Sequence, residues 1–354
     1  MNRYEKEAFV NAVLALKRKP SQMFPPSQNR YDDYVLIHSI AMTHTGAQHH
    51  SSMQAHQGPA FLPWHREFIR RFELDLQSID ARVTLPYWDW TKDNSEQSSI
   101  WNPNFMGGNG RESDGRVMDG PFAYGSGNWN ITILDADDPT HAPYLRRRFG
   151  TFPNVSTLPT ARQVEDTLKV VPYDSPPWIT NTETGQPKPS FRNRLEGWYG
   201  DGNIHNRVHL WVSGGTPPEF RDAGSMFWST SPNDLVFFLH HCNIDRLWAQ
   251  WQVQNPTYGY VPNVGGPKGH NLNDLIEPWG SATSHSSYSH SSYSSSANAT
   301  ITTSTTTVSN VIDHHALGYI YDKELQDPAH EHMRMLRMEK EQKAKGLFVW
   351  EGLI

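Results

Sequence analysis

Apolar residues recur along this chain with a helical period in separate blocks, and between the blocks the period is lost. Phe9, Val10, Val13, Leu14 and Leu16 fall at helical spacing, predicting an amphipathic helix over 4–18 that Pro20 ends. A second helix is expected over 32–45. A third starts at Pro63, whose fixed φ suits a first helical turn, and runs to about residue 79, with Phe68, Phe72 and Leu76 recurring every four residues. "TLPYWDW", residues 84–90, reads as an extended aromatic stretch. From 91 to 190 Gly, Pro, Asn, Asp and Ser dominate, which predicts loops with short strands or turns. Helical order returns in "GNIHNRVHLWV", 202–212, and over 233–252. There Ser231 and Asp234 spell a capping box around a first-turn proline, Pro232.

The last quarter changes character. Residues 281–309 form a Ser/Thr tract with too little apolar surface to build a core, and a disordered loop is expected there. "VIDHHALGYIYD", 311–322, reads as an edge strand, and the charged, Met-bearing 324–345 as a helix. The expected division is therefore 1–280 as the main domain, 281–309 as the loop, and 310–354 as a strand and helix packing back on the same domain.

Composition narrows the function classes. The chain has 354 residues, 36% of them apolar, enough for a sizeable core, and 25 Gly with 25 Pro fit much irregular connection around helices. A net charge of -6 gives no reason to expect nucleic acid or an anionic membrane as partner. The run Arg146, Arg147, Arg148 is too short to change that and is expected on a solvated face. Cys242 is the only cysteine, which excludes an intrachain disulfide and any cysteine-built zinc or iron–sulfur site; it is expected to be a buried filler. No apolar run is long enough to span a bilayer, and the charged N-terminus is not a signal peptide. The expected location is cytoplasmic, or outside by an export route the sequence does not display.

Eighteen histidines remain to be explained. His205 and His209 lie four apart in an expected helix, so both leave one face and can bite the same ion; two ordinary histidines are the plain alternative. Asn206 stands where a zinc protease needs glutamate, which disfavours that class. In "LHHCNIDRLW", Phe237, His241, Asp245 and Trp248 share a face, while His240 points about 100° away. Asp245 is thus placed to orient His241, a salt bridge to Arg246 or another cation being the alternative. Gly58 and Pro59 forbid one continuous helix from His56 to His65. A loop carrying His56 must then fold against the helix carrying His65, with Phe61 and Trp64 keeping water out. The first half offers His38, His56 and His65 in addition to His44, His49, His50 and His141, and three histidines from each half would make a site of six imidazoles. Such a donor set suits copper better than zinc or iron.

"YDDYVLIH", the His56–His65 spacing closing on "FLPWHR", "LPYWDW", "IHNRVHLWV" and "SPNDLVFFLHHCNID" together resemble the tyrosinases of the binuclear type 3 copper family, over about 30–255. The likeness is to the compact bacterial type. The resemblance implies a mainly α fold, a four-helix bundle holding a dicopper centre, with long irregular loops and a few short strands. It implies that His38, His56 and His65 bind one copper, CuA, and His205, His209 and His241 the second, CuB. His240 is then a neighbour. It further implies an oxidase that uses dioxygen to hydroxylate monophenols at the ortho position and to oxidise o-diphenols to o-quinones. Glu196 and Asn206 match the pair that holds a proton-accepting water in the family, a salt bridge from Glu196 to Arg192 or Arg194 being the structural alternative. No cysteine lies near His56, so the thioether of plant and fungal members is absent. Trp228, thirteen residues before His241, is expected to overhang CuA, and Leu210 to give the pocket an apolar rim beside Phe237. An oxidase of catechols or o-aminophenols without hydroxylation is the alternative activity, and a hemocyanin-like oxygen carrier a remoter one. Small phenols are the implied partners; the oligomeric state and any copper-delivery partner are left open.

Overall fold

The computed structural model describes residues 1–22, 27–43, 54–179, 188–198, 204–279, 305–324 and 348–350. Its helices in chain order are α1 (Arg3–Leu16), α2 (Arg30–Thr43), α3 (Phe61–Gln77), α4 (Ala161–Leu168), α5 (Phe191–Glu196), α6 (Ile204–Ser213) and α7 (Val236–Gln254). Four of them, α2, α3, α6 and α7, bring histidines to one place. α3 and α7 run against each other through their aromatic stripes: Phe72 stacks on Phe238 with centroids 3.7 Å apart, and Phe68 stacks on the same ring at 5.6 Å. Tyr34 of α2 meets Phe68 and Phe72 edge-on at 5.6 and 5.3 Å. These are the offset and T-shaped geometries that ring quadrupoles favour.

α7 is the axis of the molecule, with every residue from Val236 to Ala249 buried. Polar side chains on such a helix must find partners inside the protein. Asp245 does so twice. Its Oδ1 accepts from Arg66 Nε of α3 at 2.5 Å, and its Oδ2 accepts from Tyr319 and Tyr321 hydroxyls at 2.6 and 2.5 Å. The Arg66 guanidinium also lies 3.7 Å over the Trp248 ring. Removing one member of a buried ion pair strands the other in low dielectric. Asp245→Ala is therefore expected to cost about 3–5 kcal/mol in a urea titration. Tyr319→Phe, which leaves the pair intact, should cost about 1 kcal/mol. Equal costs would mean the pair is hydrated in solution.

Several expectations change. Arg147 is fully buried and forks onto Asp234, Nε to Oδ2 at 2.7 Å and Nη2 to Oδ1 at 2.8 Å, while Arg146 is buried against Asp138. Arg146 and Arg147 are thus structural and not on a solvated face, while Arg148 is part-exposed. The expected capping box does not form: Ser231–Asn233 make a short 3-10 turn, and α7 begins at Val236 after Leu235, which cannot cap it, although Asp234 Oδ1 also accepts the Val236 amide at 3.2 Å. Among the described residues of 91–190 the backbone is mostly turns and isolated bridges, as expected, but α4 was not foreseen. Cys242 is buried, with its thiol 3.5 Å from the Leu85 carbonyl, a filler as expected.

The expected strand is β1 (Tyr319–Tyr321), which pairs in parallel with β2 (Phe348–Trp350), Ile320 opposite Val349. The helix expected over 324–345 lies outside the described residues, apart from Glu324. So does most of the Ser/Thr tract. Its end, 305–309, is ordered, because Thr306 exchanges backbone bonds with Ile276 and Trp279 and Val308 is buried. Among the described residues no helix is long and apolar enough to cross a membrane.

Candidate metal centre

Each histidine of the site is aimed by the element that carries it. His38 leaves α2, His65 leaves the first turn of α3, and His56 sits on the turn just before α3. That turn is tight, since a Cβ on Gly58 would fall 2.5 Å from the His270 ring. His270 Nδ1 in turn accepts the Ala60 amide at 3.2 Å, and Gln54 donates to the Gly269 and Leu275 carbonyls at 2.6 Å. His270 and Gln54 were not foreseen. The three rings gather closely, His56 lying 5.3 Å from His38 and 5.0 Å from His65.

Their tautomers follow from their partners. His38 Nδ1 lies 2.7 Å from the Ser229 carbonyl and His65 Nδ1 2.9 Å from the Phe61 carbonyl. A carbonyl only accepts, so Nδ1 carries the proton and the lone pair sits on Nε2. Both Nε2 atoms are buried without a hydrogen-bond partner. His209 repeats the pattern, with Nδ1 2.8 Å from the Met226 carbonyl and a partnerless Nε2. One turn earlier on α6, His205 points Nδ1 at Asn206 Oδ1, 3.0 Å away, and its Nε2 lies 3.3 Å from His241 Nε2. Two nitrogens each about 2.0 Å from one ion in tetrahedral directions would be separated by about that distance.

His240 is also near, its ligand atom within 4.8 Å of those of His205, His209 and His241. Trp90 separates it from them chemically. The indole Nε1–H donates to His240 Nδ1 at 3.0 Å, and an indole can only donate. The His240 proton is then on Nε2, which leaves no lone pair for a metal.

The two clusters face each other. The His65 and His241 rings stack at 4.0 Å, with Phe237 below them, 4.8 Å from His38 and 4.2 Å from His241. Phe61 closes another side, 4.9 Å from His65 and 5.0 Å from His205. Trp64 lies beside His65 at 4.9 Å. Burial holds His38 down to about 3 and His209 to about 4, and it lowers His56, His65, His205 and His241 as well, with the neighbouring imidazoles adding to the effect. Neutral imidazoles with lone pairs turned inward, and no carboxylate or thiolate among them, fit a pair of copper ions.

The common central domain of tyrosinase matches residues 28–254. The chain belongs to the tyrosinase family. A tyrosinase of Streptomyces glaucescens is 45% identical over 276 residues, covering 78% of this chain and 88% of that relative. A grixazone synthase of Streptomyces griseus is 41% identical over 303 residues, covering 80% and 92%. Among solved structures, a polyphenol oxidase of Thermothelomyces thermophila aligns with a TM-score of 0.56 at 22% identity, over 88% of this chain and 84% of that one. A copper-bound Aspergillus oryzae tyrosinase aligns at 0.52 and 18%, over 95% and 91%. These two share the fold, a helical core with few strands. As in the family, the cofactor is a dicopper centre.

Of the residues expected around the tyrosinase centre, Phe237 is in place and fully buried beneath both clusters. Asp245 is not behind His241: its oxygens belong to Arg66 and the two tyrosines, and His241 Nδ1 has no hydrogen-bond partner. Trp228 is not in ring contact with the histidines. Its backbone is extended, and its indole packs edge-on against Phe227 at 5.0 Å with no ring contact to any of the six. Leu210 is part-buried against the core next to His209. Glu196 ends α5, and Gly197 lets α5 close on α6, since a Cβ there would sit 2.9 Å from Asn206 Nδ2. Glu196 is fully buried; Oε1 accepts the Gln57 amide at 2.6 Å and Oε2 accepts from Arg192 at 2.9 Å. The salt bridge to Arg192 is therefore present. Burial raises the Glu196 carboxyl above its ordinary value while Arg192 pulls it down.

Proposed function

We propose that His38, His56 and His65 hold one copper ion and His205, His209 and His241 the other. This tyrosinase-family enzyme uses dioxygen to hydroxylate monophenols at the ortho position and to oxidise o-diphenols to o-quinones. The observation that carries the ligand set is the repeated tautomer lock, in which carbonyls take Nδ1–H of His38, His65 and His209 and leave Nε2 unused. When bound, the copper pair supplies the reduction of dioxygen and accepts the electrons of the ring.

The chain's own part is to dry the site, fix six lone pairs and handle a proton. A phenol has an unperturbed pKa near 10 and must be deprotonated to act at neutral pH. Glu196 ends α5, and Asn206 of α6 lies against the next residue, Gly197, where a Cβ would fall 2.9 Å from its Nδ2; we assign these two residues the water that takes this proton. Glu196 Oε1 also fixes the backbone next to His56 through the Gln57 amide, so the carboxylate couples the proton acceptor to one triad. Glu196→Gln keeps an oxygen for Gln57 and loses the charge. It is expected to slow p-cresol turnover by at least about 10²-fold while o-diphenol oxidation falls far less. Rates that fall together, with copper content unchanged, would remove Glu196 from the proton step.

A further inference from the structure

One short peptide serves both triads. The segment 225–231 gives the Met226 carbonyl to His209 Nδ1 at 2.8 Å and the Ser229 carbonyl to His38 Nδ1 at 2.7 Å. It has little regular structure of its own beyond the 3-10 turn Ser225–Phe227, so its position is set from outside. The stretch 135–146, which precedes α4, does this at both ends. Asp135 Oδ2 accepts the Ser229 amide at 2.8 Å and also the Ser229 hydroxyl, whose oxygen is 2.8 Å from the Ser39 hydroxyl, one residue past His38. At the other end the Ser225 amide donates to the Arg146 carbonyl at 2.8 Å, the Arg146 amide donates to the Ser225 hydroxyl at 3.1 Å, and the Arg146 guanidinium is paired with Asp138. Asp135 is buried and touches none of the six histidines directly.

We infer that Asp135 is a positioning residue for both copper sites at once. By holding Ser229 through amide and hydroxyl, it closes one end of the peptide whose other end Arg146 holds, and so keeps in place the two carbonyls that orient one histidine in each triad. This rests on the ligand assignment above. A carbonyl on Nδ1–H sets ring direction and raises the basicity of Nε2, and losing such an outer partner weakens metal binding by about 10–100-fold. Because the two carbonyls are three residues apart on one peptide, the loss should reach both ions together.

The test uses the full chain, histidine-labelled with nitrogen-15, and reads copper affinity by chelator competition. It also follows exchange of the His38 and His209 Nδ1–H protons in the copper-free protein. Asp135→Ala is expected to weaken both ions by about 10–100-fold and to speed exchange of both protons. Asp135→Asn, which keeps an oxygen for the Ser229 amide, should recover most of that loss, and Ser229→Ala, which keeps the amide bond, should show a smaller loss. Weakening of one ion alone, or unchanged proton exchange in Asp135→Ala, would overturn the inference. Should Asp135→Ala fail to fold, the graded pair Asp135→Asn and Ser229→Ala decides in its place. His38→Ala and His209→Ala serve as references. If they keep both coppers, the ligand assignment itself has failed, whatever Asp135 does.

Discussion

Alanine in place of His241 is expected to leave the chain with one copper ion and no measurable turnover, whereas alanine in place of His240 keeps two. The histidines are neighbours in sequence and both are fully buried, so exposure does not separate them. Proton placement does. Trp90 Nε1–H occupies His240 Nδ1 and forces the His240 proton onto Nε2, while His241 Nε2 sits 3.3 Å from His205 Nε2, a spacing that two N–H groups would not adopt. His240→Ala strands the buried Trp90 donor and opens a cavity. It should lower the unfolding midpoint by the equivalent of about 1–3 kcal/mol with copper content at two per chain. Metal analysis and urea titration of both variants check this. If His240→Ala is the one that loses an ion, the third ligand of that triad has been misassigned.

The helix-borne part of this site was legible in the sequence because it depends on periodicity. His205 and His209 emerge from one face of α6, and the face shared by Phe237 and His241 on α7 puts the phenyl ring beneath both clusters, 4.8 Å from His38. Asp245 lies on that same face and yet serves another purpose. On a helix buried all round, every direction meets protein, and the period gives no information on which neighbour takes the carboxylate. Arg66 and the tyrosines of β1, 74 and 76 residues downstream of Asp245, win it by charge and by two hydroxyl donors. Arg147 was misread for the same reason, since a charge run looks solvated until the partner, Asp234, is brought 87 residues back to it.

Other features left no pattern to read. The carbonyls at Met226 and Ser229 orient two histidines, and every residue owns a carbonyl, so side-chain identity carries no sign of that role. Trp228 has the right distance in sequence from His241 to overhang a copper, but the ring contact it makes is with its chain neighbour Phe227 and not with any of the six imidazoles. α4 did leave a sign that went unused: Thr160 and Gln163 form a reciprocal capping box, a T-x-x-Q pattern inside a stretch otherwise dominated by turn residues.

The copper-free chain is expected to lose stability steeply as pH falls below about 6.5, and copper to protect it. Burial pushes His38 down to about 3, His209 to about 4 and the loop-holding His270 to about 3, from the ordinary imidazole value of about 6.5. Between those values and 6.5 the unfolded chain binds protons that the folded chain refuses. Stability is therefore whole above about 6.5 and drains as the solution becomes more acidic, at up to about 1.4 kcal/mol per unit for each imidazole. Three imidazoles give about 4 kcal/mol per unit, against a total stability of about 5–15 kcal/mol for a folded domain. A copper-free protein at the low end of that range should accordingly unfold near about pH 5, and a more stable one at lower pH still. Bound ions occupy the lone pairs of His38 and His209, though not that of His270, so protons must compete with copper there and the transition moves to lower pH. Urea midpoints of copper-free and loaded protein at pH 7.5, 6.5 and 5.5 read the effect directly. A copper-free midpoint that stays level across that range would mean the imidazoles are hydrated in solution, and the dry, neutral donor set on which the copper assignment stands would be lost with it.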